Sequence, residues 1–310
     1  MRHRSIVNPK APASWNAWLN AGKKPTFSAV AARNLAGALL AGLVLAGCQT
    51  GQNPAQVNRA LQSVNDIDST NMADVMLTVG KPEEAVAYFR DAVAADPSNL
   101  TAQRGLGKSL MKAGQIPQAL GVWTAIIALP DATHEDRVNY AEALIRGNDW
   151  QRAAQVLAQI PPTYETFERY KLEAMVADSR KDWKKADSFY EIAAGMTQQP
   201  APVLNNWGFS KLTRGEHGAA EKLFTQALTY DATMFTAKNN LVLARAAQRK
   251  YDLPVVEASQ DERAQLYYTA GLAAVKQGDP SVGKQLLQKA IDTSPRYFEA
   301  AERSLAALGG

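Results

Sequence analysis

The chain is poor in the side chains that most often carry catalysis or bind metals. Its 310 residues include one cysteine and three histidines. A single cysteine excludes an intramolecular disulfide and any zinc site that needs two thiolates from one chain. After residue 48 only His134 and His217 remain, and neither has the spacing to another candidate that a metal site or a catalytic base requires. The sequence therefore predicts no metal, no cofactor and no enzyme activity.

A complete phosphate-binding loop is also missing. Gly107-Lys108-Ser109 resembles the end of such a loop, but the loop needs a second glycine five residues before Gly107, where the chain has Ala102. The triplet also lies within a predicted helix, whereas a phosphate-binding loop follows a strand. We therefore expect no nucleotide and no small-molecule substrate.

Excess positive charge is absent from most of the chain, although the formal net charge is +4. Six of the 34 basic residues fall within residues 1–47, which have no acidic residue. The remaining 28 basic residues face 30 acidic residues. A basic patch of the kind that binds nucleic acid is therefore not predicted.

The apolar run near the amino terminus is too short to span a membrane. Residues 35–47 form 13 uninterrupted apolar and small residues, whereas a spanning helix needs about 20. Preceded by basic residues, this run is typical of a secretory signal peptide over 1–47. Leu45-Ala46-Gly47-Cys48 resembles the bacterial lipobox, which implies cleavage before Cys48 and lipidation of its thiol.

The residues after Cys48 suggest where such a lipoprotein is sorted. By resemblance to the sorting rule of Gram-negative lipoproteins, Gln49 in place of aspartate implies the outer membrane. Residues 48–65 are polar and rich in Gln and Asn, which predicts a lipid-anchored tether. We expect a water-soluble body held at the periplasmic face of the outer membrane through lipidated Cys48.

A pattern with a period near 34 residues fills most of the remaining chain. Its most complete copy runs from Val203 to Asp231, with Trp207-Gly208 on a first helix and Gly215 at the turn. Such a period predicts stacked helix pairs, because no pair can bury its apolar face without a neighbour. One small residue of the second helix recurs at steps of 34, 34, 33 and 34 residues, at Ala85, Ala119, Ala153, Ala186 and Ala220.

The pattern degenerates over residues 235–263. The next step from Ala220 falls on Pro254, and a proline inside a helix costs about 3 kcal/mol. We therefore expect one helix over 236–248 and then an extended excursion over 251–259. The sequence leaves open whether this excursion is a hinge or a binding element.

The layout resembles the tetratricopeptide family over residues 66–308. The family pattern has a large and then a small residue on the first helix, a glycine near the turn, an alanine and an aromatic residue on the second helix, and a closing proline. The resemblance implies an all-α fold, a right-handed superhelical solenoid of about six to seven repeats with a C-terminal capping helix near 298–308. Gly283 departs from the pattern, since alanine is expected there.

The resemblance also implies a groove for peptides. In peptide-binding members of the family, an asparagine on the first helix lies on the concave face and hydrogen-bonds the backbone of an extended peptide. An amide suits this contact because it offers two donors and an acceptor; the alternative is that these asparagines satisfy exposed helix surface or loop carbonyls. One first-helix position holds asparagine in four copies, with Gly105 and Leu172 as exceptions. The candidate groove residues are Asn71, Arg104, Lys108, Asn139, Asn206 and Asn240, of which the arginine and lysine lie one turn apart and could face an acidic group.

A lipid anchor joined to such a body resembles several bacterial envelope families. These include secretin pilotins of type IV pili, assembly factors for outer-membrane barrels, and the TadD-like lipoprotein of the Flp pilus (tight adherence, Tad) system. The layout is most similar to the TadD-like group, which implies assembly or localisation of the pilus secretin, with the secretin or other pilus-assembly components as partners. A scaffold for exopolysaccharide export or barrel assembly stays open, as does an accessory regulatory subunit of a cell-envelope enzyme.

Overall fold

The computed structural model describes residues 72–78 and 80–309, and within them the chain forms fourteen α-helices and no strand. The predicted signal peptide (1–47), the tether (48–65), the lipidation site Cys48 and the candidate Asn71 lie outside the described residues. The helices are α1 (72–78), α2 (Pro82–Ala95), α3 (Leu100–Lys112), α4 (Ile116–Ile127), α5 (His134–Arg146), α6 (Trp150–Leu157), α7 (Phe167–Ser179), α8 (Trp183–Gly195), α9 (Ala201–Thr213), α10 (His217–Tyr230), α11 (Phe235–Ala246), α12 (Gln260–Lys276), α13 (Pro280–Thr293) and α14 (Glu299–Ala307).

The helices belong to two compact units, one ending at Ala132 and one beginning at Thr133. In the first unit, α2, α3 and α4 pack in succession. In the second unit every helix packs against the next, and α5, α7, α9 and α11 also pack against one another in that order. Contacts limited to near neighbours are those of a helical solenoid, as the period predicted. The repeats are numbered from α1–α2, so that α7–α8 is the fourth and α9–α10 the fifth.

Many helix starts are encoded by local capping residues. Thr133 and Ser259 each form a capping box, with Asp136 and Glu262 respectively. Such boxes satisfy backbone N–H groups that have no partner inside the helix. Side chains also cap the first turns of other helices, at Asn99, Asp149, Thr166 and Asp182. Prolines occupy the first turns of four more helices, at Pro82, Pro117, Pro202 and Pro280.

Glycines on the first helices make room for aromatic side chains of the second helices. A Cβ atom at Gly208 would lie 2.7 Å from Phe224, and one at Gly107 would lie 2.7 Å from Trp123. Both rings are 0% exposed. The recurring pair of a small and an aromatic residue is therefore a packing requirement, because it lets the two helices of a repeat approach closely.

After the first helix of the second to seventh repeats, the turn uses a residue in the left-handed region. In the third repeat the turn contains Gly147, in line with the glycine that the pattern has near the turn, but Gly147 is not its left-handed residue. Gly147 has φ −79° and ends α5, while the next residue, Asn148, takes the left-handed conformation, which asparagine tolerates. The six turn residues are Gly114 (φ 72°), Asn148 (63°), Lys181 (60°), Gly215 (86°), Arg249 (58°) and Gly278 (84°).

The interruption in the sixth repeat is present as predicted. Helix α11 is followed by residues 251–259, which form no helix, and α12 begins at Gln260. Val255 is fully exposed. The segment is nevertheless anchored, because Tyr251, Leu253, Val256 and Ala258 pack against the core around Val242, Leu266 and Ala270.

The last pair explains the missing alanine at Gly283. A Cβ atom there would lie 2.4 Å from Cγ2 of Val275 and 3.0 Å from the carbonyl oxygen of Gly271. Helices α12 and α13 therefore approach more closely than an alanine would allow. Helix α14 packs on α13 and buries Ala301, which covers the end of the stack as expected of a capping helix.

Candidate functional site

A row of polar contacts connects the first helices of successive repeats in the second unit. Asn206 Nδ2 on α9 donates to Met175 Sδ on α7 at 3.9 Å. Asn240 Nδ2 on α11 donates to Asn205 Oδ1 on α9 at 3.0 Å, and Thr269 Oγ1 on α12 donates to Asn239 Oδ1 on α11 at 2.7 Å. We refer to these six residues, Met175, Asn205, Asn206, Asn239, Asn240 and Thr269, as the first-helix ladder.

Two of the candidate groove asparagines are buried in this ladder. Asn206 is 8% exposed and Asn240 is 4% exposed, so their amides contact neighbouring repeats. Asn206 Oδ1 and Asn139 Nδ2 are buried and have no hydrogen-bond partner among the described residues. An unpaired buried amide atom is costly, and either atom gains a partner only if the surrounding side chains move. A role for these three asparagines in peptide binding stays a prediction.

The other candidates lie in the first unit or outside the described residues. Arg104 and Lys108 are half-buried on α3, one turn apart as predicted. Both already have interaction partners, so neither is a free cation. Asn71 precedes α1 and lies outside the described residues.

A buried carboxyl joins the fourth and fifth repeats. Asp178 of α7 is 4% exposed. Its Oδ1 accepts a hydrogen bond from Ser210 Oγ of α9 at 2.6 Å, and its Oδ2 accepts one from Tyr190 Oη of α8 at 2.9 Å. Burial raises the pKa of Asp178 to about 6, against the lowering effect of the two hydroxyl donors and of Arg214. One carboxyl therefore holds three helices together.

A second carboxyl, Asp187 of α8, binds two side chains of α9 and the side chain of Arg214, the residue that caps the end of α9. Trp207 Nε1 donates to it at 2.6 Å, Lys211 Nζ at 2.9 Å and Arg214 Nη2 at 2.7 Å to both oxygens. Arg214 also lies over the ring of Trp183. Partial burial raises the pKa of Asp187, but hydrogen bonds from Arg214, Lys211 and Trp207 outweigh it and hold the pKa below its ordinary value. We refer to Asp178, Asp187, Tyr190, Trp207, Ser210, Lys211 and Arg214 as the junction cluster.

A groove with a volume of about 500 Å³ lies on α10 beside the 251–259 segment. An extended chain is narrower than a helix, so the segment leaves part of α10 uncovered. Glu221 on α10 accepts from Arg245 at 2.8 Å and from Lys250 at 3.2 Å, which fixes one edge of the groove. Its apolar lining comes from Leu228, Ala232, Leu241, Leu253, Pro254, Val255 and Val256.

The described part of the chain has no helix that is long and apolar enough to cross a membrane. It also has no group of three or more His, Cys, Asp or Glu side chains placed to hold a metal ion. Gly107-Lys108-Ser109 lies inside α3, as predicted, and does not follow a strand.

Comparisons with known proteins agree with this architecture. Two tetratricopeptide-repeat family models match the sequence, over residues 76–128 and 105–165. The structure of the APC/C hetero-tetramer Cut9-Hcn1 is similar with a TM-score of 0.56 at 14% identity, over 76% of this chain and 48% of that chain. The chain has a tetratricopeptide-repeat fold. Repeats of this kind indicate a scaffold for protein–protein contacts, typically without catalytic activity.

Two other solved structures show the same fold. A tetratricopeptide-repeat protein from Parabacteroides merdae matches with a TM-score of 0.52 at 13% identity, over 77% of this chain and 97% of that chain. The human IFIT1 dimer with PPP-AAAA matches with a TM-score of 0.53 at 16% identity, over 73% of this chain and 59% of that chain. The chain thus spans about half the length of the Cut9-Hcn1 chain that it matches. No curated protein matches it in sequence.

Sequence reasoning missed the junction cluster, although the repeats contain a signal for it. Asp178 occupies a first-helix position at which the other tetratricopeptide copies are apolar. Ser109 occupies in the second repeat the position of Ser210 in the fifth, and its buried hydroxyl has no hydrogen-bond partner among the described residues. When the repeats are aligned, Asp178 is the only acidic residue at its position. At its position the other copies have Leu77, Met111, Ile145, Leu212, Ala246 and Val275.

Proposed function

We propose that the chain is a lipid-anchored protein-interaction scaffold at the periplasmic face of the outer membrane, which assists assembly or localisation of the secretin of an Flp-type pilus. The proposal combines the tetratricopeptide-repeat fold with the lipobox-like Leu45-Ala46-Gly47-Cys48. A helical solenoid presents a row of helices to a partner, and two or more acyl chains hold a protein stably on a bilayer. No catalytic step is required of it.

The observation that carries the proposal is the single cysteine placed directly after the apolar run. Mass spectrometry of the chain isolated from its native membranes should find Cys48 as the first residue, acylated on its thiol and amino group. Cys48→Ser should release the protein from the outer-membrane fraction without changing its helical circular dichroism. An unmodified thiol on the exported chain would contradict the lipid anchor and leave the solenoid unaffected.

The partner is tested by capture from membranes solubilised in mild detergent, with this chain as bait. Enrichment of the outer-membrane secretin or of other pilus-assembly components supports the proposal. Enrichment of polysaccharide-export proteins, of barrel-assembly proteins or of a peptidoglycan hydrolase would instead favour the alternative roles. The experiment therefore separates the candidate functions by the identity of the captured protein.

The binding surface is tested separately with substitutions in the first-helix ladder. Replacing both Asn206 and Asn240 by alanine should reduce capture of the partner if the asparagine face binds it. The matched control replaces two exposed amides on second helices, Gln226 and Gln285, by alanine, and we expect no loss of capture. Far-ultraviolet circular dichroism must be unchanged in both variants. Equal capture by the two variants would show that the partner binds elsewhere.

A further inference from the structure

Asp178 in the junction cluster is buried at a position where the other repeats have apolar side chains, of which Met111, Ile145 and Ala246 are also buried. Moving an ionised carboxylate out of water is unfavourable unless a cation or enough donors compensate. Asp178 receives two hydroxyl donors, from Ser210 and Tyr190. Among the described residues no cation lies within ion-pair distance of it. Packing alone does not explain a carboxyl here.

The hydroxyl groups around Asp178 can serve either protonation state. A hydroxyl is both a donor and an acceptor, so Ser210 and Tyr190 can donate to the carboxylate, or one can accept from the protonated acid. Ser210 is 1% exposed and Tyr190 is 0% exposed, so water does not take their place. The same contacts can therefore form whether Asp178 is protonated or ionised, but the free energy of the junction differs between the two states.

The charged groups near Asp178 act in opposite directions, so burial has the largest effect on whether its carboxyl is ionised. On α8, Asp187 opposes ionisation of Asp178, and at the end of α9, the capping residue Arg214 favours it. Arg214 is held by Asp187 at 2.7 Å and by Glu216 at 2.7 Å, and Lys211 also binds Asp187. The nearby α5 helix has Glu142 and Arg146, which pair with each other at 2.7 Å. The cations next to the junction are therefore committed to other carboxylates.

We propose that Asp178 is a proton-dependent latch, which holds α9 against α7 and α8 firmly when its carboxyl is protonated and less firmly when it is ionised. Because α9 also contains Asn205 and Asn206, the latch sets how firmly this part of the first-helix ladder is held. The device needs no ligand, and it acts through the stability of one junction within the second unit.

The direction of the pH dependence follows from the burial of the carboxyl. Burial raises the pKa of Asp178 to about 6, above the ordinary value of 3.8. The folded junction therefore binds the proton more tightly than the unfolded chain does. The stabilisation is complete below the ordinary value and is lost as the pH rises from about 4 to about 6. Within that window, each pH unit changes the folding equilibrium constant by about tenfold.

The test combines two measurements on the full-length chain. Carbon-13 NMR of the Asp178 carboxyl gives its titration midpoint, which we expect near pH 6. Amide hydrogen exchange of α9, corrected for the intrinsic rate at each pH, should show up to about tenfold less protection at pH 7 than at pH 5. A midpoint near that of an ordinary aspartate, or α9 protection that does not fall over this range, overturns the proposal.

Three variants separate the latch from a general effect of pH. Asp178→Asn cannot ionise, so its α9 protection should be the same at both pH values. Ser210→Ala removes a donor to the ionised carboxyl and should move the titration midpoint of Asp178 upwards. Asp182→Asn, at the exposed start of α8, should behave as the native chain. If Asp178→Asn fails to fold, the titration midpoints of the native and Ser210→Ala proteins still decide the question.

Discussion

Two ion pairs between repeats differ in how far they are exposed to solvent. Between the fourth and fifth repeats, the side chain of Arg214 is 5% exposed and pairs with Asp187 within the junction cluster. Between the sixth and seventh repeats, the side chain of Arg249 is 61% exposed where it pairs with Asp279. Ion pairs that join neighbouring repeats of one solenoid can therefore be buried or can lie in solvent, where each is worth much less.

The largest expected effect comes from breaking the buried ion pair. Arg214→Met leaves Asp187 without its bidentate partner and removes the guanidinium from Trp183. We expect the free energy of unfolding to fall by about 3 kcal/mol. The control, Arg249→Met, breaks an exposed pair and should cost less than about 1 kcal/mol. Urea unfolding of the two variants measures both losses of stability. Similar losses in Arg214→Met and Arg249→Met would contradict the contrast between the buried and the exposed ion pair.

Acid should act on the same ion pair. The pKa of Asp187 lies below its ordinary value, so its stabilising contribution is present above the ordinary value and is lost as the pH falls through the lowered pKa. The native protein should therefore lose stability below about pH 4. In Arg214→Met that acid loss should be smaller, since the partner that lowers the pKa is gone. Urea midpoints at pH 3 and pH 5 check this, and parallel losses in both proteins would count against it.

Two neighbouring valines of the 251–259 segment allow a matched test with a smaller expected effect. Val256 packs against core clusters on both sides of the segment, whereas its neighbour Val255 is fully exposed. Val256→Ala should lower the free energy of unfolding by about 1 kcal/mol, and Val255→Ala should change it by less than about 0.5 kcal/mol. Denaturation of the two single variants decides whether the segment is anchored by alternate side chains. If Val255→Ala costs as much as Val256→Ala, the segment packs in another way.

The smallest effect concerns the left-handed turns. Lys181 has φ 60°, and a glycine there removes the strain of a side chain at positive φ. Lys181→Gly should raise the free energy of unfolding by about 0.5 kcal/mol. Arg249 has φ 58°, but it also donates to Asp279 and to the carbonyl of Gln277. Arg249→Gly should therefore not raise the melting temperature in thermal denaturation. A gain equal to that of Lys181→Gly would show that the contacts of Arg249 do not stabilise the fold.

Much of this fold could be predicted because it depends on local and periodic features. The recurring alanines, the glycines opposite aromatic rings and the proline at 254 each determine packing within a repeat or between neighbours. The helix-free 251–259 segment followed from Pro254 alone, since a ring without an N–H cannot continue a helix. The turn of the third repeat was predicted at Gly147, but the pattern did not indicate that Asn148 is the residue in the left-handed region, which asparagine tolerates as glycine does.

The polar contacts between repeats could not be predicted in the same way. Asn206 and Asn240 stand at one periodic position, but whether such an amide faces a groove or the next helix depends on how adjacent helices are rotated. Asp178 and Ser210 lie 32 residues apart in sequence and contact at 2.6 Å, which periodicity alone does not indicate. Interactions of this kind depend on the angle between neighbouring helices, and that angle is set by the whole packed interface.

The narrow segment at 251–259 also has a mechanical consequence. Load applied along a stack of repeats passes from each neighbour to the next, and in the sixth repeat it passes through one helix and an extended segment instead of two helices. A pull on the carboxyl end in an optical trap should therefore peel away α12 to α14 as one step, with α7 to α10 still intact. Pro254, which prevents a second helix in the sixth repeat, would then define where the stack separates.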